Sequence, residues 1–131
     1  MLLDTSGLLC LHHRDEPLHD DAGLLIDEAT VKLTHSYVLA EFVALAHARR
    51  LPRQTSLLFI EGVIQNPEIA VVWVDEDLHR KALSLLQARL DKTYSLCDAV
   101  SFLLMKSYAI TDALTTDRHF EQEGFARLLK P

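Results

Sequence analysis

The sequence predicts an α/β domain, with a mainly parallel sheet covered by helices on both faces. Short apolar runs alternate along the chain with longer segments whose apolar residues recur at helical spacing, and that alternation favours parallel strands joined by helical crossovers. The clearest run, Ile69-Ala70-Val71-Val72-Trp73-Val74, is continuously apolar, as in a strand buried on both faces. At 131 residues and 49% hydrophobic, with no repeat, low-complexity segment or interdomain linker, the chain fits one domain, residues 1–131, around one core.

Met1-Leu2-Leu3 predicts a buried strand ending at Asp4, and Leu8 to Leu11 a first helical turn after a break at Gly7. Arg14 to Pro17 is a loop, with Pro17 marking the boundary. His19 to Ala29 follows as a helix with Ala22, Leu25 and Ile26 on one side, and Val31 to His35 as a second strand. Ser36 is the expected cap of a helix from Tyr37 to about Arg50, which Pro52 stops; Arg53 to Gln65 is another, ended by Asn66-Pro67. After the strand Ile69–Val74, the segment Asp75 to about Leu90 reads as an amphipathic helix with Leu78, Ala82, Leu85 and Leu86 in one stripe. Ser95 caps a nearly all-apolar helix reaching Tyr108. Ala113-Leu114-Thr115, Arg118 to Glu123 and Ala126 to Leu129 complete the chain as strand, short helix and strand.

Charge and cysteine content exclude several classes. Thirteen basic against nineteen acidic side chains give −6, which argues against non-specific nucleic-acid binding through a broad basic surface. A narrow site whose sign is reversed by a metal cation stays compatible with that balance. Two cysteines, Cys10 and Cys97, are too few for a disulfide framework and read as small hydrophobes. No apolar run approaches the roughly 20 residues that cross a bilayer, and Asp4 interrupts any signal-type segment. A cytoplasmic protein without membrane contact is the expectation.

Four carboxylates fall at the ends of elements. Asp4 ends the first strand, Asp117 follows the strand at Ala113, Asp98 lies in the first turn of the helix capped by Ser95, and Glu41 lies early in the helix after Ser36. In a parallel sheet these ends can share one edge, where sites form. Each also has a plainer account. Asp4 can cap the turn at Ser6, Asp98 can complete a capping box with Ser95, and Asp117 can cap the short helix from Arg118. Glu41, set among Val38, Phe42 and Leu45, calls for a partner that no basic residue before Arg49 offers. If the four converge, their mutual repulsion calls for a cation, and all-oxygen ligation selects Mg²⁺ or Mn²⁺. Thr5, Ser6, Thr115 and Thr116 add hydroxyls that could position water or a carboxylate. Such a site suits metal-assisted phosphodiester hydrolysis.

Leu3-Asp4-Thr5-Ser6-Gly7-Leu8-Leu9, Asp15-Glu16-Pro17-Leu18-His19, Ala40-Glu41-Phe42, Asp91 to Ala99, and Ala113 to Phe120 with Gly124-Phe125 occur in that order along nearly the whole chain. Together they resemble PIN-domain ribonucleases, specifically the toxins of VapBC-type toxin–antitoxin pairs. The resemblance implies a three-layer α/β/α sandwich with strand order 3-2-1-4-5 and an acidic quartet of Asp4, Glu41, Asp98 and Asp117. It also implies Mg²⁺- or Mn²⁺-dependent cleavage of RNA, a homodimer and a cognate antitoxin. Within it, Asp4, Asp98 and Asp117 would be the principal metal ligands, and Glu41 a ligand or the group orienting the attacking water. Two departures stand out: Cys97 occupies a place where relatives often carry Thr, and the first strand is short, which is compatible with a start upstream of Met1.

Smaller features admit two readings each. Arg49, Arg50 and Arg53 form the one compact basic cluster, either a solvated helix end or an RNA contact. Phe59, Ile60 and Val63 either pack in the core or line a groove for an amphipathic antitoxin helix. His12 and His13 are adjacent and would point apart, against a zinc site; His119, beside Asp117, can face the site, though a role at the helix start is the plainer account. The competing function is a non-catalytic PIN-fold regulator that only binds RNA or antitoxin. A phosphotransferase that phosphorylates its own aspartate is disfavoured, because Asp4-Thr5-Ser6 lacks a second aspartate two residues on.

Overall fold

Leu2 and Leu3, both fully buried, form the central strand, β1 (Leu2–Leu3), in a computed structural model that describes residues 1–131. The other strands are β2 (Lys32–His35), β3 (Ile69–Val72), β4 (Asp112–Leu114) and β5 (Ala126–Arg127). They lie in the order β3-β2-β1-β4-β5 with every pairing parallel, which is the expected topology. Register is set at the centre by Leu2 opposite both Leu33 and Ala113.

Alternation along each strand sends neighbours to opposite faces. Leu3 and Leu114 join Leu8, Val38, Phe42 and Ile60 in a core under α1 (Thr5–His12), α2 (His19–Glu28), α3 (Ser36–Ala48) and α4 (Arg53–Gln65). Leu2 and Ala113 join Val100, Phe102, Met105 and Phe120 in a second core under α5 (Glu76–Ala88), α6 (Leu96–Ser107) and α7 (His119–Gln122). The result is the three-layer sandwich.

Four expectations need correction. Helix α1 starts at Thr5 and runs straight through Gly7. Glycine is needed there for proximity: a Cβ on Gly7 would lie 2.0 Å from the backbone oxygen of Leu114. The cap of α3 is His35, not Ser36; His35 Nδ1 accepts from the Val38 amide at 3.4 Å, while Ser36 Oγ accepts from the Val74 amide. Strand β3 is not buried on both faces. It is an edge strand, four residues long and only partly covered, and Trp73 beyond it is 63% exposed. Finally, α7 begins at His119 with Arg118, not Asp117, at its cap position.

His35 is the buried polar link between the layers. With Nδ1 accepting, Nε2 carries the proton and donates to Ser101 Oγ at 2.8 Å, tying the start of α3 to α6. Burial pushes its pKa down to about 4, so the ring is neutral. Ile60 and Val63 pack in the first core, while Phe59 and Val63 also line an open apolar groove of about 390 Å³ with Leu8, Leu11 and Ile26. The segment thus packs in the core and also faces a groove.

Candidate active site

Because all strands run one way, the segments leaving their carboxyl ends gather on one edge of the sheet. Asp4 leaves β1 and Thr115-Thr116-Asp117 leaves β4, side by side. Helix α6 begins at this edge with Asp98 in its first turn, and α3 leaves β2 with Glu41 in its second turn.

A run of hydroxyls fixes Asp4. Thr115 Oγ1 donates to Asp4 Oδ2 at 2.7 Å and accepts from the Asp117 amide at 3.0 Å. Its single proton being used, the Ser6 hydroxyl 3.1 Å away must donate to it, and Ser6 Oγ in turn accepts from the Thr116 amide. Asp4 occupies the N-cap position of α1, yet its side chain makes no capping bond. Asp98 does make one: it completes a capping box with Ser95, and Asp98 Oδ2 also lies 3.2 Å from His119 Nδ1. Asp117 Oδ1 accepts from the His119 amide at 2.9 Å and lies 3.3 Å from the same ring nitrogen. Donor atoms of Asp98, Asp117 and His119 thus all lie within 4.8 Å of one another.

A family model for the PIN domain matches residues 1–125. The chain belongs to the PIN-domain family. It resembles the VapC toxins within it. A VapC ribonuclease from Archaeoglobus fulgidus is 30% identical over 67 residues, covering 50% of this chain and 41% of that protein. The chain therefore matches less than half the length of that relative. The crystal structure of VapC20 from Mycobacterium tuberculosis, a toxin that cleaves the sarcin–ricin loop, superposes with a TM-score of 0.87 at 26% identity, over 99% of this chain and 98% of that one.

Among the residues singled out in this PIN domain, Asp4, Thr5, Asp98 and Thr115 are buried, and Ser6, Thr116 and Asp117 are half-buried. Glu41 departs from expectation: it is exposed, because the apolar stripe of α3 runs through Val38, Phe42 and Ala46 and leaves it on another side. Its charge is nonetheless felt at Asp4 and at the Cys97 thiol. The arginine cluster lies apart, at the far end of α3, about 12 Å along the axis from Glu41. Arg49 is paired with Glu16 at 2.6 Å, while Arg50 and Arg53 are exposed. His12 and His13 diverge, His12 to Ser56 Oγ and His13 toward Asp15. Sequence reasoning undervalued His119 and passed over Thr93, whose Oγ1 lies 2.9 Å from His119 Nε2. Only the spacing of His119 two residues after Asp117 hinted at it.

The electrostatics separate two kinds of buried acid. The Glu123 side chain is largely covered, which alone would raise its pKa, but Lys106, Tyr94 and Arg89 all donate to it and hold the carboxyl below its usual range. Asp4 has no such company. Burial pushes it up to about 7, helped by the charges of Asp98 and Glu41 and opposed by the Thr115 hydrogen bond. Asp98 is raised too, by burial first and then by Asp117, with the Ser95 amide and His119 pulling the other way. No lysine or arginine forms an ion pair with any of the four acids. Thr5 Oγ1, next to Asp4 in sequence, is buried without a hydrogen-bond partner. Carboxylates with no lysine or arginine among them, and a buried hydroxyl without a partner beside them, fit a hard divalent ion.

The raised pKa of Asp4 has a measurable consequence in metal-free protein. A carboxyl whose folded pKa lies above its unfolded one lends stability below pH 4 that is lost as pH rises through about 7, up to roughly 4 kcal/mol. His35 acts in the opposite sense, since its folded pKa near 4 removes stability as pH falls from 6.5. The two nearly cancel in between, so the absolute profile hides both. The difference between Asp4→Asn and the parent does not: the variant gains on the parent steadily from pH 4 to 7. Urea unfolding of both in EDTA checks this, and a difference independent of pH would contradict a protonated, buried Asp4.

Proposed function

We propose that the chain is a divalent-metal-dependent endoribonuclease of the VapC kind, the toxin of a toxin–antitoxin pair acting in the cytoplasm. The observation that carries this is the gathering of Asp4, Asp98 and Asp117 at one sheet edge with no lysine or arginine to balance them. Similarity to a VapC ribonuclease and to VapC20 supports it. Because VapC20 cleaves the sarcin–ricin loop, a structured RNA loop is the substrate class proposed for this chain.

Asp4, Asp98 and Asp117 would hold Mg²⁺ or Mn²⁺. When bound, the ion supplies Lewis-acid stabilisation of the negative charge that builds on the phosphate during hydrolysis. The chain's own residues do the rest. Thr115 and Ser6 lock the rotamer of Asp4, so that the carboxylate is positioned before substrate arrives. Glu41, exposed at the rim, is free to orient a water and take its proton. Exposed Arg50 and Arg53 offer phosphate contacts beyond the acidic centre, with Arg49 partly neutralised by Glu16. The groove lined by Leu8, Leu11, Ile26, Phe59 and Val63 would accept the apolar face of an antitoxin helix. A homodimer would follow from the same family reading.

Incubating purified protein with total RNA in Mn²⁺, Mg²⁺ or EDTA, and sequencing the new ends, tests the proposal. Cuts at a few defined loops that vanish in EDTA are expected. Intact RNA in both metals, with antitoxin still bound tightly, would instead favour a non-catalytic regulator.

A further inference from the structure

His119 stands beside two carboxylates of the centre. Its ring turns inward from the start of α7, and one nitrogen, Nδ1, faces Asp98 Oδ2 at 3.2 Å and Asp117 Oδ1 at 3.3 Å. Donors in adjacent positions around one ion, each about 2.1 Å from it, stand about 3 Å apart. The ring is also held from behind: Nε2 meets Thr93 Oγ1 at 2.9 Å, and Tyr94 packs edge-on at 5.3 Å between ring centres.

We propose that His119 is a nitrogen ligand in this centre, joining Asp98 and Asp117, and that it biases the site toward Mn²⁺ over Mg²⁺. The inference rests on the metal-dependent reading given above and adds to the acidic quartet a residue that reading leaves out.

Thr93 makes this possible without movement of the ring. A hydroxyl both donates and accepts. While Nδ1 carries the proton, it can donate to the two carboxylates and the Thr93 hydroxyl can donate to Nε2. With the other tautomer, Nε2–H donates to Thr93 Oγ1 and the Nδ1 lone pair faces Asp98 and Asp117. One geometry therefore serves both states, and the ring needs only to shift its proton from one nitrogen to the other. A lysine or arginine at this position would neutralise the acids but could not ligate. The preference is one of degree: both ions suit oxygen donors, but Mn²⁺, as a first-row transition ion, accepts an imidazole nitrogen more readily than the harder Mg²⁺ does.

The test uses Mn²⁺ and Mg²⁺ alone, with no RNA. Pulsed EPR of Mn²⁺-loaded protein is expected to show coupling to a directly bound nitrogen, lost in His119→Gln. Calorimetry is expected to show Mn²⁺ affinity falling at least 10-fold in His119→Gln and about 10-fold in Thr93→Val. Mg²⁺ affinity should change less, so the Mn²⁺/Mg²⁺ preference narrows. Saturable Mn²⁺ binding to the parent without nitrogen coupling overturns the role of His119 and leaves the metal-dependent reading standing. Absence of any saturable Mn²⁺ binding to the parent overturns both. The spectrum of the parent protein decides the matter even if a variant folds poorly.

Discussion

Asp98→Asn should reduce RNA cleavage by roughly 10³-fold, equivalent to about 4 kcal/mol of transition-state stabilisation, while leaving the melting temperature of metal-free protein unchanged or higher. Asp98 has two roles at one place: it accepts from the Ser95 amide in the capping box, and it faces Asp117 and His119. Asparagine keeps an oxygen for the Ser95 amide, so the start of α6 survives. It also removes a charge that burial disfavours and that Asp117 repels, so the fold gives up little. Asp98→Ala, by contrast, loses the cap as well and should cost about 1 kcal/mol of stability. Comparing the two variants by RNA cleavage and thermal unfolding separates the cap from the chemistry. If Asp98→Asn cleaves as well as the parent, Asp98 is a structural cap only.

Gly7→Ala should be the most damaging of the four glycine-to-alanine changes in this chain. The new Cβ would meet the carbonyl oxygen of Leu114 at 2.0 Å and its carbon at 2.8 Å, and neither is a flexible side-chain tip. That carbonyl already accepts from the Asp4 amide, so α1 cannot be relieved without disturbing the junction of β1 and β4. A loss of roughly 3 kcal/mol, about 10 °C in Tm, is expected. Cleavage should fall beyond what unfolding explains, since Asp4 and Thr115 flank the junction. Gly23→Ala is the control. It also lies in a helix, nothing stands within 4 Å of its new Cβ, and it should stabilise by about 0.5–1 kcal/mol.

The fold was legible because strand and helix patterns alternate cleanly and strand ends coincide with polar residues. Asp98 was legible twice over, since the spacing from Ser95 announces the cap and the apolar helix behind it announces burial. Glu41 was singled out for a reason that fails. Its apolar neighbours in sequence suggested a buried carboxylate, yet at 100° per residue Phe42 and Glu41 point in different directions, and only Phe42 enters the core. The edge position of β3 was hidden because an apolar run does not reveal how many neighbours a strand has. His35 displaced Ser36 as a cap because its ring is locked by Ser101, a contact 66 residues away. The inward turn of His119 likewise depends on Thr93, 26 residues earlier, and no local pattern encodes it.

The bond between Thr115 and Asp4 closes a separation of 111 residues, and β1 stays open on one side until β4 arrives. During translation at about 5–20 residues per second, Asp4 therefore waits roughly 6–20 s for the hydroxyl that orients it. Asp98 and Asp117 also emerge late. A nascent chain on the ribosome therefore holds no assembled centre until β4 and the segment after it have been made, and the proposed cleavage would be absent throughout that interval.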